Sequence, residues 1–363
     1  MGGVSDGAEA GGFSHTNNFD LVRLLAAAQV AFVHTVHHMQ IVLPFHDTTM
    51  RIIGAFPGVP IFFIVSGFLI SASYQRSDGL ADFVKNRVLR LFPALWLVFV
   101  FGVVLAAATG YFIENPVSFP QFLIWAAAQL SVGQFYNPDF MRGYGEGVLN
   151  GSLWTLPVEM QFYALTPLLV PLLTGGRRRW AVALLLFAFF IVANVALSLL
   201  RADSVDTLAI KLFTITFVPW VYMFMLGAVL SLHWGRFALL FEGRFGLWLL
   251  AYCLVVMIDL WFPIGIQGNH ILPIWVPLVA GLVLSATFTN CRLSNRLLRR
   301  NDISYGSYIY HMPIINFMVE QGWGRGSGLA WLPVPATFFV AWLSWRWVEK
   351  PALRLKHYTL LRR

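Results

Sequence analysis

The sequence predicts an all-α, polytopic membrane protein with about ten transmembrane helices and both termini in the cytoplasm. Three observations predict it. First, 58% of the 363 residues are hydrophobic and only 12% are charged, about half the charge content of a soluble domain. Second, the apolar residues form nearly unbroken runs, such as Trp180 to Leu200 and Ile271 to Thr289. Runs of about 20 residues suit spanning helices, whereas barrel strands are short and alternate. Third, the 25 basic residues are shared unevenly between alternate connections.

Apolar runs bounded by polar or Gly/Pro clusters place the spans in order. The first, 21–43, carries Arg23, His34, His37 and His38. The second, 57–75, is interrupted by Gly58, Ser66 and Gly67. Arg87 and Arg90 lead into the third, 91–113, which contains Pro93. The short stretch Phe122 to Val132 lies in the longest connection and reads as interfacial or re-entrant. Span four, 154–174, opens with SLWTLPVEMQFY and places Glu159 a few residues inside the outer face. The fifth, 180–200, follows Arg177, Arg178 and Arg179. Spans at 209–232, 246–263 and 271–289 come next. The ninth, 303–322, holds His311, and the tenth, 328–348, ends at Glu349.

Basic residues in short loops stay cytoplasmic. With an even span count, 20 of the 25 basic residues fall on one side, in Arg23, Arg76/Lys85/Arg87/Arg90, Arg177–Arg179, Arg236/Arg244, Arg292/Arg296/Arg299/Arg300 and the tail from Arg346 to Arg363. Only Arg51, Arg142, Arg201, Lys211 and Arg325 fall on the other. The net charge of +8 is thereby explained as retention on the cytoplasmic side, and no nucleic-acid partner is expected. The N-terminal segment carries Asp6, Glu9 and Asp20 but no Lys or Arg before residue 23, the reverse of a signal peptide. Cys253 and Cys291 imply no disulfide framework. The expected organisation is a disordered cytoplasmic tail over 1–18, one membrane domain over 19–352 and a basic cytoplasmic tail over 353–363, in the inner membrane.

Titratable side chains inside spans are costly, so each is a candidate for function. Arg23 and His34 are eleven residues apart, which puts them on one helix face about 16 Å apart along the axis. The histidines either do chemistry or bond to carbonyls of neighbouring helices. Although His34, His37 and His38 have a ligand-like i, i+3, i+4 spacing, no acidic or Cys ligand lies near them in sequence, and no metal is expected. Arg87 and Arg90, one turn apart at a helix end, suit phosphate groups or lipid headgroups. Glu349, beside Arg346 and Lys350, reads as part of an interfacial charge network.

Together these residues resemble the acyltransferase 3 family of integral membrane carbohydrate O-acyltransferases. The matching pieces are Arg23 with His34, GVPIFFIVSGFLI, RVLRLFP from Arg87 to Pro93, SLWTLPVEMQFY, SYIYHMP and the terminal VEKP, in family order from about residue 19 to 352. Pro60 stands where many members carry a polar residue. No hydrolase-like extracytoplasmic domain, present in some members, is expected here. The resemblance implies transfer of an acyl group, most often acetyl, from cytoplasmic acyl-CoA to a hydroxyl of a cell-surface or exopolysaccharide sugar or its lipid-linked repeat unit. His34 and Glu159 are then the catalytic candidates. Arg23, Arg87, Arg90 and Ser66 are the candidates for binding acyl-CoA, with His37, His38, His311 and Tyr163 in support. Expected partners are acyl-CoA, membrane lipid, a carbohydrate acceptor and polysaccharide biosynthesis or export proteins. The competing class is a transporter or flippase for a lipid-linked sugar, which would have similar spans and buried charges but no thioester chemistry.

Overall fold

The computed structural model describes residues 16–202, 207–299, 301–324 and 328–357. Asp6, Glu9, Arg300, Arg325, Arg362 and Arg363, named above, lie outside these. The described residues are helical, with no strand among them. In order the helices are α1 (Phe19–His38), α2 (His46–Gly54), α3 (Gly58–Arg76), α4 (Leu80–Ala108), α5 (Tyr111–Glu114), α6 (Phe119–Gln129), α7 (Thr155–Leu173), α8 (Arg177–Ala202) and α9 (Leu208–Thr214). They continue with α10 (Val221–Leu232), α11 (Trp234–Phe241), α12 (Phe245–Trp261), α13 (Val276–Phe288), α14 (Leu293–Leu298), α15 (Ser304–Glu320), α16 (Pro333–Ser344) and α17 (Lys350–Arg354).

Among the described residues, six helical segments are long and apolar enough to cross a membrane, or up to seven if α10 and α11, bent by 99°, form one span. The other three expected spans hold α12, α13 and α15, of 17, 13 and 17 residues, all shorter than the usual spanning length. The expected span 209–232 is broken. Residues 215–220 leave the helix, and polar side chains of the neighbouring helices take over the freed backbone groups. Gln161 donates to the Ile215 carbonyl (2.8 Å) and accepts from the Phe217 amide (2.9 Å), and Asn194 donates to the Pro219 carbonyl (3.0 Å). Non-helical backbone at membrane depth needs this kind of satisfaction.

The core lies between α1, α3, α10 and α15. At the α3–α10 crossing, Gly67 and Gly227 each face the other helix's backbone. A Cβ on Gly67 would sit 2.0 Å from the Phe224 carbonyl oxygen, and one on Gly227 would sit 2.0 Å from that of Ile64. Small residues allow this approach. Pro60 lies in the first turn of α3, where the missing N–H has no partner to lose.

Helix α15 is central, and all its residues except Phe317, Val319 and Glu320 are buried. The connection before α7 descends beside it. The Gly145 and Glu146 amides donate to Glu320 (2.7 Å) and Asn316 (3.0 Å), Asn316 donates to the Val148 carbonyl (2.7 Å), and Asn150 donates to the Ile309 carbonyl (2.8 Å). The descent ends where Thr155 meets the Tyr308 hydroxyl at 2.8 Å. Tyr308 is four residues, about 6 Å, from the start of α15. Span four therefore begins deep in the bundle, and Glu159 lies toward the Arg23 end rather than just inside the opposite face.

Described residues at the inner edges of both expected tails pack on the helices. Asn18 is buried, accepting from the Ser294 amide (2.9 Å) and donating to the carbonyls of Ala286, Thr289 and Asn290. Lys85 donates to the Lys356 carbonyl at 2.9 Å, holding the turn after α17 against α4. Phe122 to Val132 includes most of α6, whose Trp125 is buried against Phe99 and Phe140.

Candidate active site

The site is built on α1, α3, α4, α7 and α15. Near the N-terminal ends of α1 and α15, Asp302 binds both Arg23 (2.7 Å) and Arg90 (2.5 Å) through one oxygen. Its other oxygen accepts from the Ser304 hydroxyl at 2.5 Å and from the Ser304 amide. Burial works to raise the Asp302 carboxyl, but Arg23 and Arg90 hold it well below the usual carboxylate range. The sequence reading missed Asp302. Its signal was there, a lone acid two residues before Ser304 at the start of a span.

Arg87, one turn from Arg90, does not share this carboxylate. Its Nη2 donates to Ser73 at 3.0 Å, it lies over the Tyr163 ring at 5.8 Å, and its buried Nε has no hydrogen-bond partner among the described residues. The Tyr163 hydroxyl donates to Glu159 at 2.6 Å. Glu159, Arg23 and Ser66 line one cavity together with Thr155, Tyr305 and Tyr308. Thus Ser66 faces the cavity, while its neighbour Gly67 serves helix packing. Lys356, which the sequence reading left in a tail, comes close to this cationic cluster. Burial, then Arg87 and Arg90, lower its ammonium to about 8.

His34 lies in the last turn but one of α1, nearer the far end of that helix than its middle. Its Nδ1 is 2.8 Å from Nε2 of the fully buried His311, and one of the two nitrogens donates. That spacing leaves no room for an ion between them, since each metal–nitrogen bond takes about 2 Å. His38 contacts Glu146 at 3.2 Å, and exposed His37 packs edge-on to His38, so these two belong to the rim rather than to the pair. Glu349 is also placed differently from the interfacial network expected of it. It is buried in a π-helical turn over Trp345–Glu349 and accepts from Ser344 at 3.1 Å, while Arg346 is exposed and lies over Trp342.

His34 lines a second cavity with Gln29, Met50, Trp154 and Asn269. Val59 and Tyr308 wall both this cavity and the one lined by Arg23 and Glu159. Trp154 and Asn269 are walls shared with a third, open cavity that includes Phe135, Tyr136, Arg201 and Lys211. Three adjoining cavities therefore run from the arginine cluster past His34 to the opposite end.

The family described as an acyltransferase domain matches residues 16–345. Nodulation protein 10 of Rhizobium leguminosarum bv. viciae is 35% identical over 96% of both chains. The O-acetyl transferase of Shigella phage Sf6 is 26% identical over 92% of this chain and 95% of its own. The exopolysaccharide production protein ExoZ of Rhizobium meliloti (strain 1021) is 29% identical over 84% of this chain and 89% of its own. No solved structure matches the chain. With the arginine, histidine and Glu159 motifs gathered along one run of cavities, and a family match over nearly the whole chain, this protein belongs to the acyltransferase 3 family.

Proposed function

We propose that this protein moves an acyl group, most simply acetyl, from cytoplasmic acyl-CoA to a hydroxyl of a carbohydrate at or across the inner membrane. The single observation that carries the reading is the position of His34. It lines the middle of three adjoining cavities, with Arg23 in the wall of the cavity at one end and an open, aromatic-lined cavity at the other.

Arg87, whose buried Nε has no partner among the described residues, suits a donor phosphate, and Arg23 and Arg90 add charge that one Asp302 carboxylate does not cancel. Lys356 supplies a further cation. The fit to an anionic donor is therefore good at this end. His311 occupies Nδ1 of His34, leaving Nε2 for chemistry. There His34 takes the proton of the acceptor hydroxyl as its oxygen bonds to the acyl carbon, and returns it to the sulfur as the carbon–sulfur bond breaks. The same nitrogen is suited to carry the acyl group itself in two steps. His311, rather than Glu159, fixes the ring. Glu159, held by Tyr163 on the donor side, orients the entering arm instead.

The test is acetyl-CoA turnover by the purified protein in nanodiscs, followed as free thiol with and without crude polysaccharide. Thiol release that requires His34 supports the reading. Absence of both release and CoA binding would return the protein to the transporter class.

A further inference from the structure

Basic residues on translocated connections run against the insertion preference of a membrane protein. Here the five exceptions are Arg51, Arg142, Arg201, Lys211 and Arg325. Arg51 is bound to the Leu260 carbonyl and to Asp259, and Arg325 lies outside the described residues. The other three, Arg142, Arg201 and Lys211, all line the open cavity next to that of His34. No Asp or Glu stands among the described residues lining it. Arg142 is paired at the surface with Asp139, 3.0 Å away.

Arg201 is fixed by neutral groups. Its Nη1 donates to His270 Nε2 at 2.9 Å and its Nη2 to the Thr214 hydroxyl at 3.0 Å. His270 packs on Trp220 at 5.0 Å, and burial, then Arg201, push its imidazole down to about 4. His270 thus stays neutral and orients the guanidinium without cancelling its charge. A guanidinium held by neutral groups, in a cleft with no acid among its described lining residues, attracts anions and suits carboxylate or phosphate geometry. Tyr136 and Trp154 in the same cavity offer faces on which sugar rings stack.

We propose that this cavity receives an acceptor saccharide that bears negative charge, as a uronate carboxylate or a sugar-linked diphosphate, and that Arg201 and Lys211 select for it. The proposal rests on the acyl-transfer reading for the word acceptor, and its test is a binding measurement that does not need turnover.

The protein, in nanodiscs of uncharged lipid at low salt, is titrated with three probes. They are a hexasaccharide of alternating glucuronate and N-acetylglucosamine, the same hexasaccharide with its carboxyl groups reduced, and a diphosphate-linked disaccharide. At least one anionic probe is expected to bind about tenfold or more tightly than the reduced one. Which one does so identifies the anion. Arg201→Gln and Lys211→Gln should each erode the preference, Arg201→Lys should keep part of it, and Arg236→Gln, on exposed α11, should leave it intact. Lys211 is exposed, so its substitution keeps the test valid if an Arg201 variant fails to fold. Equal binding of all three probes, or a preference that survives both Gln variants, would overturn the proposal. A preference for anions without any thiol release would instead overturn the transfer reading and leave the binding site standing.

Discussion

His34 and His311 meet at 2.8 Å, Nδ1 to Nε2, and join α1 to the buried centre of α15. Under the proposed function, His34 acts and His311 positions. His34→Ala is expected to abolish acyl transfer with insertion intact. His311→Ala should lower kcat by about 10²-fold, the lower end of what a positioned acid–base group contributes, with the KM for acyl-CoA nearly unchanged. His311→Gln, which can still hydrogen-bond Nδ1, should recover part of the loss. Steady-state kinetics of the three variants decide this, and a His311→Gln variant no better than His311→Ala would deny the positioning role.

Pro313 explains how the descending connection is locked to α15. A proline cannot donate to the carbonyl four residues back, here that of Ile309, and Asn150 donates to it instead at 2.8 Å. Asn150→Ala leaves a buried carbonyl unsatisfied, an expected cost of about 1–3 kcal/mol. Pro313→Ala restores the intrahelical donor, so the double variant should lose less than Asn150→Ala alone. Thermal melts of the four members of this cycle measure the coupling. Additive losses would mean that the carbonyl is satisfied in another way.

Much of this architecture is legible in the sequence, and the rest is hidden for identifiable reasons. The apolar runs mark where helices form, and the spacing of Arg23 and His34 places both on one helix that lines the adjoining cavities. Hydropathy, however, reads only composition. It could not show that residues 145–155 run down beside α15, because what permits this is hydrogen bonding from Asn150 and Asn316, and to Glu320, across more than 150 positions of sequence. The depth of Glu159 followed from that segment and was misjudged with it. For the same reason span 209–232 looks continuous, while Gln161 and Asn194 support a break within it. Asp302 escaped notice because an acid in a loop looks solvated until the two arginines are seen converging on it.

Asp302 supplies a pH prediction. Against the upward pull of burial, Arg23 and Arg90 depress its carboxyl below the unfolded value. Its stabilisation is therefore complete above an ordinary carboxylate pKa of about 4 and is lost only as pH falls through the depressed folded value. Asp302→Asn removes the carboxylate that two largely buried guanidiniums share, at an expected cost of about 3 kcal/mol, the lower end for a buried pair. The gap in Tm between wild type and Asp302→Asn should stay constant from pH 5 to pH 8. A gap that closes by pH 5 would show that the carboxylate is not depressed.

Gly67 and Gly227 test the α3–α10 crossing. The atoms that a Cβ would meet at 2.0 Å are main-chain oxygens on the opposite helix, so no rotamer change relieves the clash. Gly67→Ala and Gly227→Ala should each destabilise by about 1–3 kcal/mol or more, the range for overpacking. Gly235→Ala, which has open space at its Cβ, is the matched control. Because Ser66 adjoins Gly67 and faces the cavity, Gly67→Ala should also raise the KM for acyl-CoA. A Tm equal to that of Gly235→Ala would show that the helices separate more readily than the contact implies.

Under the proposed function, Lys356 is expected to make donor binding depend on pH. Burial, followed by Arg87 and Arg90, brings its ammonium down to about 8, so it is charged at pH 7 and largely neutral at pH 9. If Lys356 helps to hold the donor phosphates, the KM for acyl-CoA should rise several-fold, roughly the worth of one exposed ion pair, as pH goes from 7 to 9. The arginines beside it stay charged throughout, and substitution of the lysine itself isolates it as the titrating group. Lys356→Met should show the high KM already at pH 7 with no further rise. Lys356→Arg, whose guanidinium does not titrate in this range, should keep the low KM through pH 9. Initial rates at five donor concentrations across this pH range are sufficient, and a parallel rise in wild type and Lys356→Arg would place the titration on another group.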